Sequence, residues 1–177
     1  ELRPNHFHSG IDISSATGSI GQPIYAAAEG YIDRIRVQES GYGNSVYIKH
    51  PKGYTTVYAH LDKFSAAVEQ YVKEMQYKRE RFEVDLFPAD GTFKVKKGEQ
   101  LGRMGNTGSS EGAHLHFEIR HSTSQKALNP LLFGLPIPGQ TPPDLRDMKV
   151  YFLSEQREVL NSKAFPIERR KDGSYGV

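Results

Sequence analysis

Hydrophobic residues along the chain are grouped in short stretches that alternate with polar and glycine-rich turns. β-branched and aromatic residues dominate these stretches, as is typical of β-strands. Two of them, 45–50 and 55–60, flank Pro51-Lys52-Gly53 and predict a hairpin. The pattern therefore predicts a mainly β protein, with strands near residues 23–28, 31–37, 45–50, 55–60, 82–86, 93–95 and 113–120.

One segment breaks this pattern, because its apolar residues recur at steps of three and four along the chain. Val68, Val72 and Met75 follow this spacing, with Lys and Glu residues between them. The spacing predicts an amphipathic helix at about 65–80, with Ser65 as its N-cap. We expect this inserted helix to pack against the β core.

The composition changes after residue 133 and divides the chain into three predicted parts. Residues 1–133 contain the strand patterns and the helix. Residues 134–147 are rich in glycine and proline, which predicts a linker or a wrapping arm. Residues 148–177 include one more strand pattern, at 148–154, and are interpreted as a C-terminal extension or as the start of an appended β domain.

Charge and residue types narrow the function before any motif is considered. The formal net charge is only +2, whereas nucleic-acid binding usually concentrates Lys and Arg on one face, so no nucleic-acid partner is predicted. No apolar run approaches the length of a membrane span. The chain has no cysteine, so a transition-metal site would need imidazole and carboxylate ligands. The chain opens with Glu-Leu-Arg-Pro, and we expect either a removed secretion signal or a longer parent protein.

Several of the seven histidines are placed where strands would bring them to one surface. His114 and His116 lie two apart in a predicted strand and therefore share a face, with apolar residues on the other face. His8 and Asp12 lie four apart and also share a face, and His60 ends another predicted strand. Three nitrogen and oxygen ligands with an open fourth position are typical of catalytic zinc. Two histidines and one carboxylate fit zinc best, and iron is the competing metal.

The stretches that contain these residues are His8-Ser-Gly-Ile-Asp12, Tyr58-Ala-His-Leu61 and Gly112-Ala-His-Leu-His-Phe-Glu118. They resemble the motifs of the lysostaphin-type (LytM-type) zinc metallopeptidases, which are peptidoglycan endopeptidases. Supporting pieces follow in the family's order, and several ordered motifs together are far more specific than any one of them. The resemblance covers about residues 1–133. The supporting pieces are Pro23-Ile-Tyr-Ala26, Gly41-Tyr-Gly-Asn44 and the glycines from Gly98 to Gly108.

The resemblance implies a fold, a metal site and a reaction. The fold would be a compact antiparallel β-sheet core of the barrel-sandwich-hybrid type, with a groove. Zinc would be bound by His8, Asp12 and His116, and the catalytic pair would be His114 as general base and His60 beside it. The substrate would be the stem peptides or cross-bridges of peptidoglycan. Such a hydrolase acts on the cell wall, in the periplasm or at the cell surface.

Two other functions remain open at this point. A catalytically silent member of the same family would act as a scaffold or activator of another wall hydrolase. Silent relatives usually lose metal ligands, whereas all five key positions are present here. A biotinyl- or lipoyl-type carrier is disfavoured, because no suitable Met-Lys or Asp-Lys turn presents a lysine. The sequence does not identify the cross-link that is cut or a regulatory partner. Glu118 shares the strand face of His116 and is expected to orient its imidazole.

Overall fold

The computed structural model describes residues 2–3, 6–135, 147–170 and 174–176. The chain divides into two units, Glu1–Pro136 and Ile137–Val177, and each is described by itself. Most of the predicted linker, residues 136–146, lies outside the described residues. Among the described residues, no helix is long and apolar enough to cross a membrane.

Short antiparallel strands make up most of the first unit, together with one α-helix and one turn of 3-10 helix. This architecture confirms the predicted fold class, a mainly β protein with a single inserted helix. In chain order, the described elements are β1 (Leu2–Arg3), β2 (His6–Phe7), β3 (Ile11–Ser14), β4 (Pro23–Tyr25), β5 (Gly30–Val37), β6 (Ser45–Lys49), β7 (Tyr54–Ala59), β8 (Leu61–Phe64), α1 (Ala66–Arg79), β9 (Val84–Leu86), β10 (Lys94–Val95), β11 (Gln100–Met104), β12 (His114–His121), β13 (Ala127–Leu128) and the 3-10 turn (Pro130–Phe133).

The largest sheet has the strand order β10-β5-β6-β7-β12-β13, with β3 also paired to β12 and β9 also paired to β5. The predicted hairpin is present as β6 and β7, where Val46 is the register partner of Tyr58. Strand β12 shows the predicted alternation, because Leu115, Phe117 and Ile119 are buried in the hydrophobic core. The intervening residues of β12 therefore lie on the opposite face of the sheet.

A smaller sheet, of order β4-β11-β8, contributes to the same core. Ile24, Leu61 and Leu101, one from each strand, belong to the hydrophobic cluster that includes the buried residues of the large sheet. Full burial of an aliphatic side chain of this size stabilises a protein by about 1.5–3 kcal/mol. The shared core therefore holds the two sheets, and the strands that carry the histidines, in one arrangement.

Helix α1 lies between β8 and β9 and matches the helix predicted at about 65–80. Ser65 occupies the N-cap position, but its side chain makes no capping hydrogen bond. The carboxylate of Glu69 instead accepts a hydrogen bond from the Phe64 backbone N–H at 3.2 Å. Val68 is buried, and the helix contacts β8 and β9. The helix therefore packs on the core, as the spacing predicts.

Two small antiparallel sheets form the described part of the second unit: β14 (Asp147–Leu153) with β15 (Val159–Pro166), and β16 (Glu168–Arg169) with β17 (Tyr175–Gly176). The first strand lies where the sequence predicts one. Large apolar side chains such as Phe152 and Leu160 are exposed on this hairpin. A two-stranded sheet is marginally stable in water by itself. The interpretation of residues 148–177 as an extension or an appended β domain stays a prediction.

Candidate functional site

Strand β12 lies at the centre of the site, because it is paired with β7 on one side and with β3 on the other. His116 is the register partner of Asp12 on β3 and of Ala59 on β7. Residues directly opposite each other in an antiparallel pair share a face, with Cβ atoms about 4.5–5.5 Å apart. The pairing therefore sets Asp12 and His116 side by side on the face opposite the core.

Gly10 allows the preceding segment to bring His8 to the same place. A Cβ atom at Gly10 would lie 2.3 Å from the Phe117 carbonyl oxygen, a distance that real Cβ atoms essentially never show. Only glycine lets the segment pass this close to β12. His8 itself precedes β3 and lies outside any strand. The structure therefore brings His8 and Asp12 together through a close backbone crossing and not through strand alternation.

Three atoms of the kind that bind metals converge here, and we call His8, Asp12 and His116 the candidate metal cluster. His8 Nε2 lies 3.1 Å from Asp12 Oδ1 and 3.1 Å from His116 Nδ1. The distance from His116 Nδ1 to Asp12 Oδ1 is 2.9 Å. Around a tetrahedral zinc ion with ligands at about 2.0–2.1 Å, neighbouring ligand atoms would lie about 3.3 Å apart. The spacing and the donor atoms therefore fit a metal ion with little rearrangement.

The carboxylate of Glu118 fixes the orientation of the His116 imidazole. Glu118 Oε1 lies 2.8 Å from His116 Nε2, while His116 Nδ1 points to Asp12 and His8. Since an ionised carboxylate only accepts hydrogen bonds, Nε2 must carry a proton. Nδ1 is then the nitrogen that faces a metal ion, in the tautomer that such a carboxylate selects. The expected contact between Glu118 and His116 is present.

Two carboxylates flank His116 and stabilise its protonated form. Burial acts to lower the pKa of His116, but the hydrogen bonds to Glu118 and Asp12 outweigh burial and raise this pKa above its ordinary value. Burial acts to raise the pKa of Glu118, yet hydrogen bonds from His116 and its other donors bring it down to about 2. Burial also opposes ionisation of Asp12, whose pKa is nevertheless lowered by the hydrogen bond from His116. A metal ion at Nδ1 would compete with a proton for the same nitrogen.

Four side chains, from three parts of the chain, donate hydrogen bonds to the fully buried carboxylate of Glu118. Besides His116, its donors are Ser9 Oγ at 2.6 Å, Tyr42 Oη at 2.5 Å and Arg120 Nε at 2.5 Å. The Tyr42 ring also stacks on His116, with centroids 5.3 Å apart and an interplanar angle of 22°. Ser9, Tyr42 and Arg120 were not predicted as site residues from the sequence. Arg120 had a signal, because it lies two residues beyond Glu118 on the same strand face.

His114 lies beside the candidate metal cluster with one ring nitrogen held and the other unsatisfied. Its Nδ1 lies 2.8 Å from the Gly112 carbonyl oxygen, so Nδ1 carries a proton. Its Nε2 is buried, has no hydrogen-bond partner among the described residues, and lies 3.6 Å from Asp12 Oδ1. A buried polar atom without a partner costs about 1–3 kcal/mol. This nitrogen therefore marks the place where a further group would bind.

His60 follows the end of β7 in the left-handed backbone conformation, with φ of 61°. Its backbone N–H donates to the Tyr42 carbonyl at 2.9 Å, and its Nδ1 lies 2.8 Å from the Thr107 carbonyl oxygen. Burial lowers the pKa of His60, although the hydrogen bond to Thr107 acts in the opposite direction. The neutral ring therefore carries its proton on Nδ1. Its centroid lies 4.7 Å from that of His114 and 5.9 Å from that of His116.

Close backbone packing at Gly105 positions the loop whose carbonyl groups accept hydrogen bonds from the His60 and His114 rings. A Cβ atom at Gly105 would lie 2.3 Å from the Asp62 backbone nitrogen and 2.7 Å from the His60 carbonyl oxygen. The loop that begins here supplies the carbonyl groups of Thr107 and Gly112.

A cavity of about 150 Å³ opens beside the imidazoles, lined by His8, Ser9, Gly41, Tyr42, His60, Ser109 and His116.

An antiparallel β fold that gathers nitrogen and oxygen ligands beside two further imidazoles defines a domain of the metallopeptidase type. The chain belongs to peptidase family M23, because the model of that family matches residues 6–77 and 89–130. The match includes all five residues predicted for the site, and it confirms the resemblance that the motifs indicated. Residues 78–88 lie between the two matched segments and outside the match.

Curated relatives of the chain include both a peptidase and an activator. The DD-carboxypeptidase/endopeptidase Mpg of Neisseria meningitidis serogroup B is 35% identical over 137 residues, which cover 77% of this chain and 25% of that protein. The murein hydrolase activator NlpD of Escherichia coli is 36% identical over 126 residues, which cover 71% of this chain and 26% of that protein. The chain thus spans about a quarter of the length of these relatives.

A solved structure of the lysostaphin type shares the fold. The catalytic domain of the antimicrobial peptidase lysostaphin from Staphylococcus simulans aligns with a TM-score of 0.51 and 26% sequence identity. The alignment covers 71% of this chain and 77% of that chain. The described β core is therefore that of a lysostaphin-type domain.

Proposed function

We propose that this domain is a zinc-dependent endopeptidase that hydrolyses peptide cross-links in bacterial peptidoglycan. Membership of peptidase family M23 supports the peptidase activity, and the similarity to lysostaphin and Mpg supports a cell-wall substrate. The observation that carries the proposal is His114 Nε2, a buried and unsatisfied basic nitrogen beside the candidate metal cluster. Buried polar atoms in purely structural positions usually have a hydrogen-bond partner.

Zinc is the metal that the candidate metal cluster fits best. His8, Asp12 and His116 offer two imidazole nitrogens and one carboxylate oxygen, the ligand types of catalytic zinc sites. When bound, zinc would polarise the scissile carbonyl and lower the pKa of a water molecule towards neutrality. Iron remains the competing metal for this ligand set.

His114 is the proposed general base. Its Nε2 accepts a proton from the attacking water, and its Nδ1–H bond to the Gly112 carbonyl stabilises the imidazolium that forms. The same Nε2–H then donates the proton to the leaving amine. Proton transfer by a positioned group of this kind contributes about 10²–10⁴-fold to the rate.

His60 is proposed to hold the attacking water. Two roles are open to it from the sequence: donation to the developing oxyanion, or support of the water. Because its neutral ring donates from Nδ1 to the Thr107 carbonyl, Nε2 is an acceptor and not a donor. An acceptor orients a water molecule by receiving one of its hydrogens, so the second role is favoured.

Under this proposal, the chain is divided into three parts. Residues 1–133 would be the peptidase domain, 134–147 a linker or arm, and 148–177 a C-terminal extension. Peptidoglycan cross-links lie outside the cytoplasmic membrane, so the domain would act in the periplasm or at the cell surface.

Mass spectrometry of cross-linked muropeptides tests the proposal. The zinc-loaded chain is expected to convert cross-linked dimers into monomers, and a chelator is expected to stop this conversion. The new amino terminus identifies the bond that is cut. The assay uses dimers with direct cross-links and dimers with glycine-bridged cross-links. If a protein with one zinc per chain leaves both kinds of dimer intact, the proposal is contradicted.

The similarity to NlpD favours one alternative, in which the domain activates another wall hydrolase without cutting peptide bonds itself. Under this alternative, the chain alone would leave muropeptides unchanged but would increase cleavage of intact peptidoglycan by a wall amidase added to the assay. His114→Ala would then keep the stimulation. In the proposed function, the same variant loses cleavage.

A further inference from the structure

The sheet face that carries His116 continues across neighbouring strands, and we call this continuation the floor. Glu118, Val57, Tyr47 and Arg34 are successive register partners on β12, β7, β6 and β5. Neighbouring strands lie about 4.8 Å apart, so this row is about 14 Å long, the length of about four residues of extended peptide. Because Glu118, Val57 and Tyr47 are buried, a peptide that follows this row away from the candidate metal cluster would contact the side chains that lie over them.

Rings and guanidinium groups are stacked along this floor without a break. The Tyr42 ring stacks on His116, and the Arg120 guanidinium carbon lies 6.0 Å from the Tyr42 centroid. The Arg120 guanidinium carbon also lies 5.8 Å from the Tyr47 ring centroid. Nearer the sheet edge, the Arg34 guanidinium carbon lies 5.1 Å from the same Tyr47 centroid. Such stacking holds arginine side chains in fixed positions.

The carboxylates of the floor do not satisfy all of its arginines. Arg34 binds Asp85 through two hydrogen bonds, of 2.7 and 2.6 Å. Arg36 lies on the next row, and its Nε lies 3.6 Å from the same carboxylate. Two guanidinium groups thus share one carboxylate, and the side chain of Arg36 is 33% exposed. At 3.6 Å this contact is longer than a hydrogen bond, so the Arg36 guanidinium keeps donors available for a further acceptor.

The segment outside the family match builds this edge of the floor. Asp85 lies on β9, within residues 78–88, and is the register partner of Arg36 on β5. Phe87 belongs to the same segment, is exposed, and has its ring centroid 5.2 Å from the Arg34 guanidinium carbon. The inserted segment therefore adds an edge strand and fixes Arg34 with a carboxylate and a ring.

We infer that Arg34, Arg36 and Arg120, here called the arginine strip, form a subsite that binds a carboxylate of the peptide substrate. The inference rests on the proposed function, because it assigns a substrate to the same sheet face. Arginine presents paired N–H donors in the geometry that matches a carboxylate. Arg36 is the principal contact, since it has the weakest pairing, whereas Arg34 and Arg120 are held in place by Asp85 and Glu118 and border the subsite.

Equilibrium binding tests the subsite independently of cleavage. The probes are the product-like peptide L-alanyl-γ-D-glutamyl-diaminopimelyl-D-alanine and the same peptide with its carboxylates amidated, each titrated calorimetrically into the full chain. The carboxylate peptide is expected to bind about tenfold more tightly than the amide, as one charged hydrogen-bonding contact provides. Equal binding of the two peptides, or no binding of either, would overturn the inference.

Matched variants locate the subsite. Arg36→Gln is expected to remove the tenfold preference, and Arg36→Lys to keep part of it, because lysine keeps the charge without the paired donors. Arg81→Gln, at an exposed position outside the arginine strip, is expected to keep the full preference. A full preference in Arg36→Gln would overturn the inference. Cleavage of cross-linked muropeptides by the same preparations separates the two claims: a preference that depends on Arg36 without any cleavage leaves the subsite standing and removes the proposed endopeptidase.

Discussion

The two halves of strand β12 present polar side chains to the same face of the sheet but surround them differently. In the first half, His114 keeps a buried ring nitrogen without a partner among the described residues. In the second half, the fully buried carboxylate of Glu118 accepts hydrogen bonds from four side chains. Alternation along a strand selects the face, whereas the neighbouring elements decide whether a polar group is satisfied or left available for chemistry.

This difference separates catalysis from stability along one strand. Removal of one partner of a buried ion pair is costly, because the other charge stays buried and uncompensated. Removal of an unsatisfied polar atom carries no such cost. Substitutions in the second half should therefore change mainly the stability, and substitutions in the first half mainly the activity.

The largest effect is expected for His8→Ala, which breaks the candidate metal cluster. The remaining two ligands are too few for a catalytic zinc site, so the variant should lose both zinc and turnover. Zinc content by elemental analysis and muropeptide cleavage measure the two losses. His121→Ala is the control, since His121 lies on β12 but is exposed and alternates to the face opposite His114 and His116. A His8→Ala protein with one zinc per chain would exclude His8 as a ligand.

A smaller but distinct effect is expected for Glu118→Ala, which leaves the Arg120 guanidinium and the His116 imidazole without their shared carboxylate. We expect the free energy of unfolding to fall by about 3–5 kcal/mol, as measured by urea denaturation. Glu111→Ala removes an exposed carboxylate from the neighbouring loop and should change stability little. Equal stabilities of the two variants would show that the Glu118 network is not structural.

The smallest effect is expected at the sheet edge, for Asp85→Asn. The hydrogen bonds from Arg34 lower the pKa of Asp85 below its ordinary value. Because the folded-state pKa is the lower one, the pair stabilises the fold above about pH 4 and loses this contribution as the pH falls through the folded-state value. The pair is partly exposed, so Asp85→Asn should cost less than about 1 kcal/mol at pH 7, and this cost should shrink as the pH falls below about 4. Asp147→Asn, at an exposed position, provides the comparison in pH-dependent urea unfolding. An undiminished difference between the two variants at pH 2 would contradict this account.

Local patterns in the sequence were sufficient for the strands and for part of the site. Alternation along 114–119 predicted that His114 and His116 share a face, and the three- and four-residue spacing of Val68 and Val72 predicted the helix. Both are periodicities of a single element, which a sequence displays directly. The ordered motifs added the expectation that His8, Asp12 and His116 converge, and the structure brings them together.

These local patterns do not predict which distant residues become neighbours in the fold. Ser9 and Tyr42 meet Glu118 only because the fold sets distant segments side by side. The orientation of the His60 ring depends on the left-handed backbone conformation of His60 itself and on its hydrogen bond to the Thr107 carbonyl, 47 residues away. Such contacts have no local periodicity and follow from the packing of the whole sheet.

The most direct test of the account is the paired measurement of turnover and stability in zinc-loaded His114→Ala. We predict that the variant keeps one zinc per chain and the wild-type free energy of unfolding, while its rate of muropeptide cleavage falls by about 10²–10⁴-fold. His121→Ala should match the wild type in all three measurements. Unchanged cleavage by His114→Ala would contradict the assignment of the general base and, with it, the distinction between the two halves of strand β12.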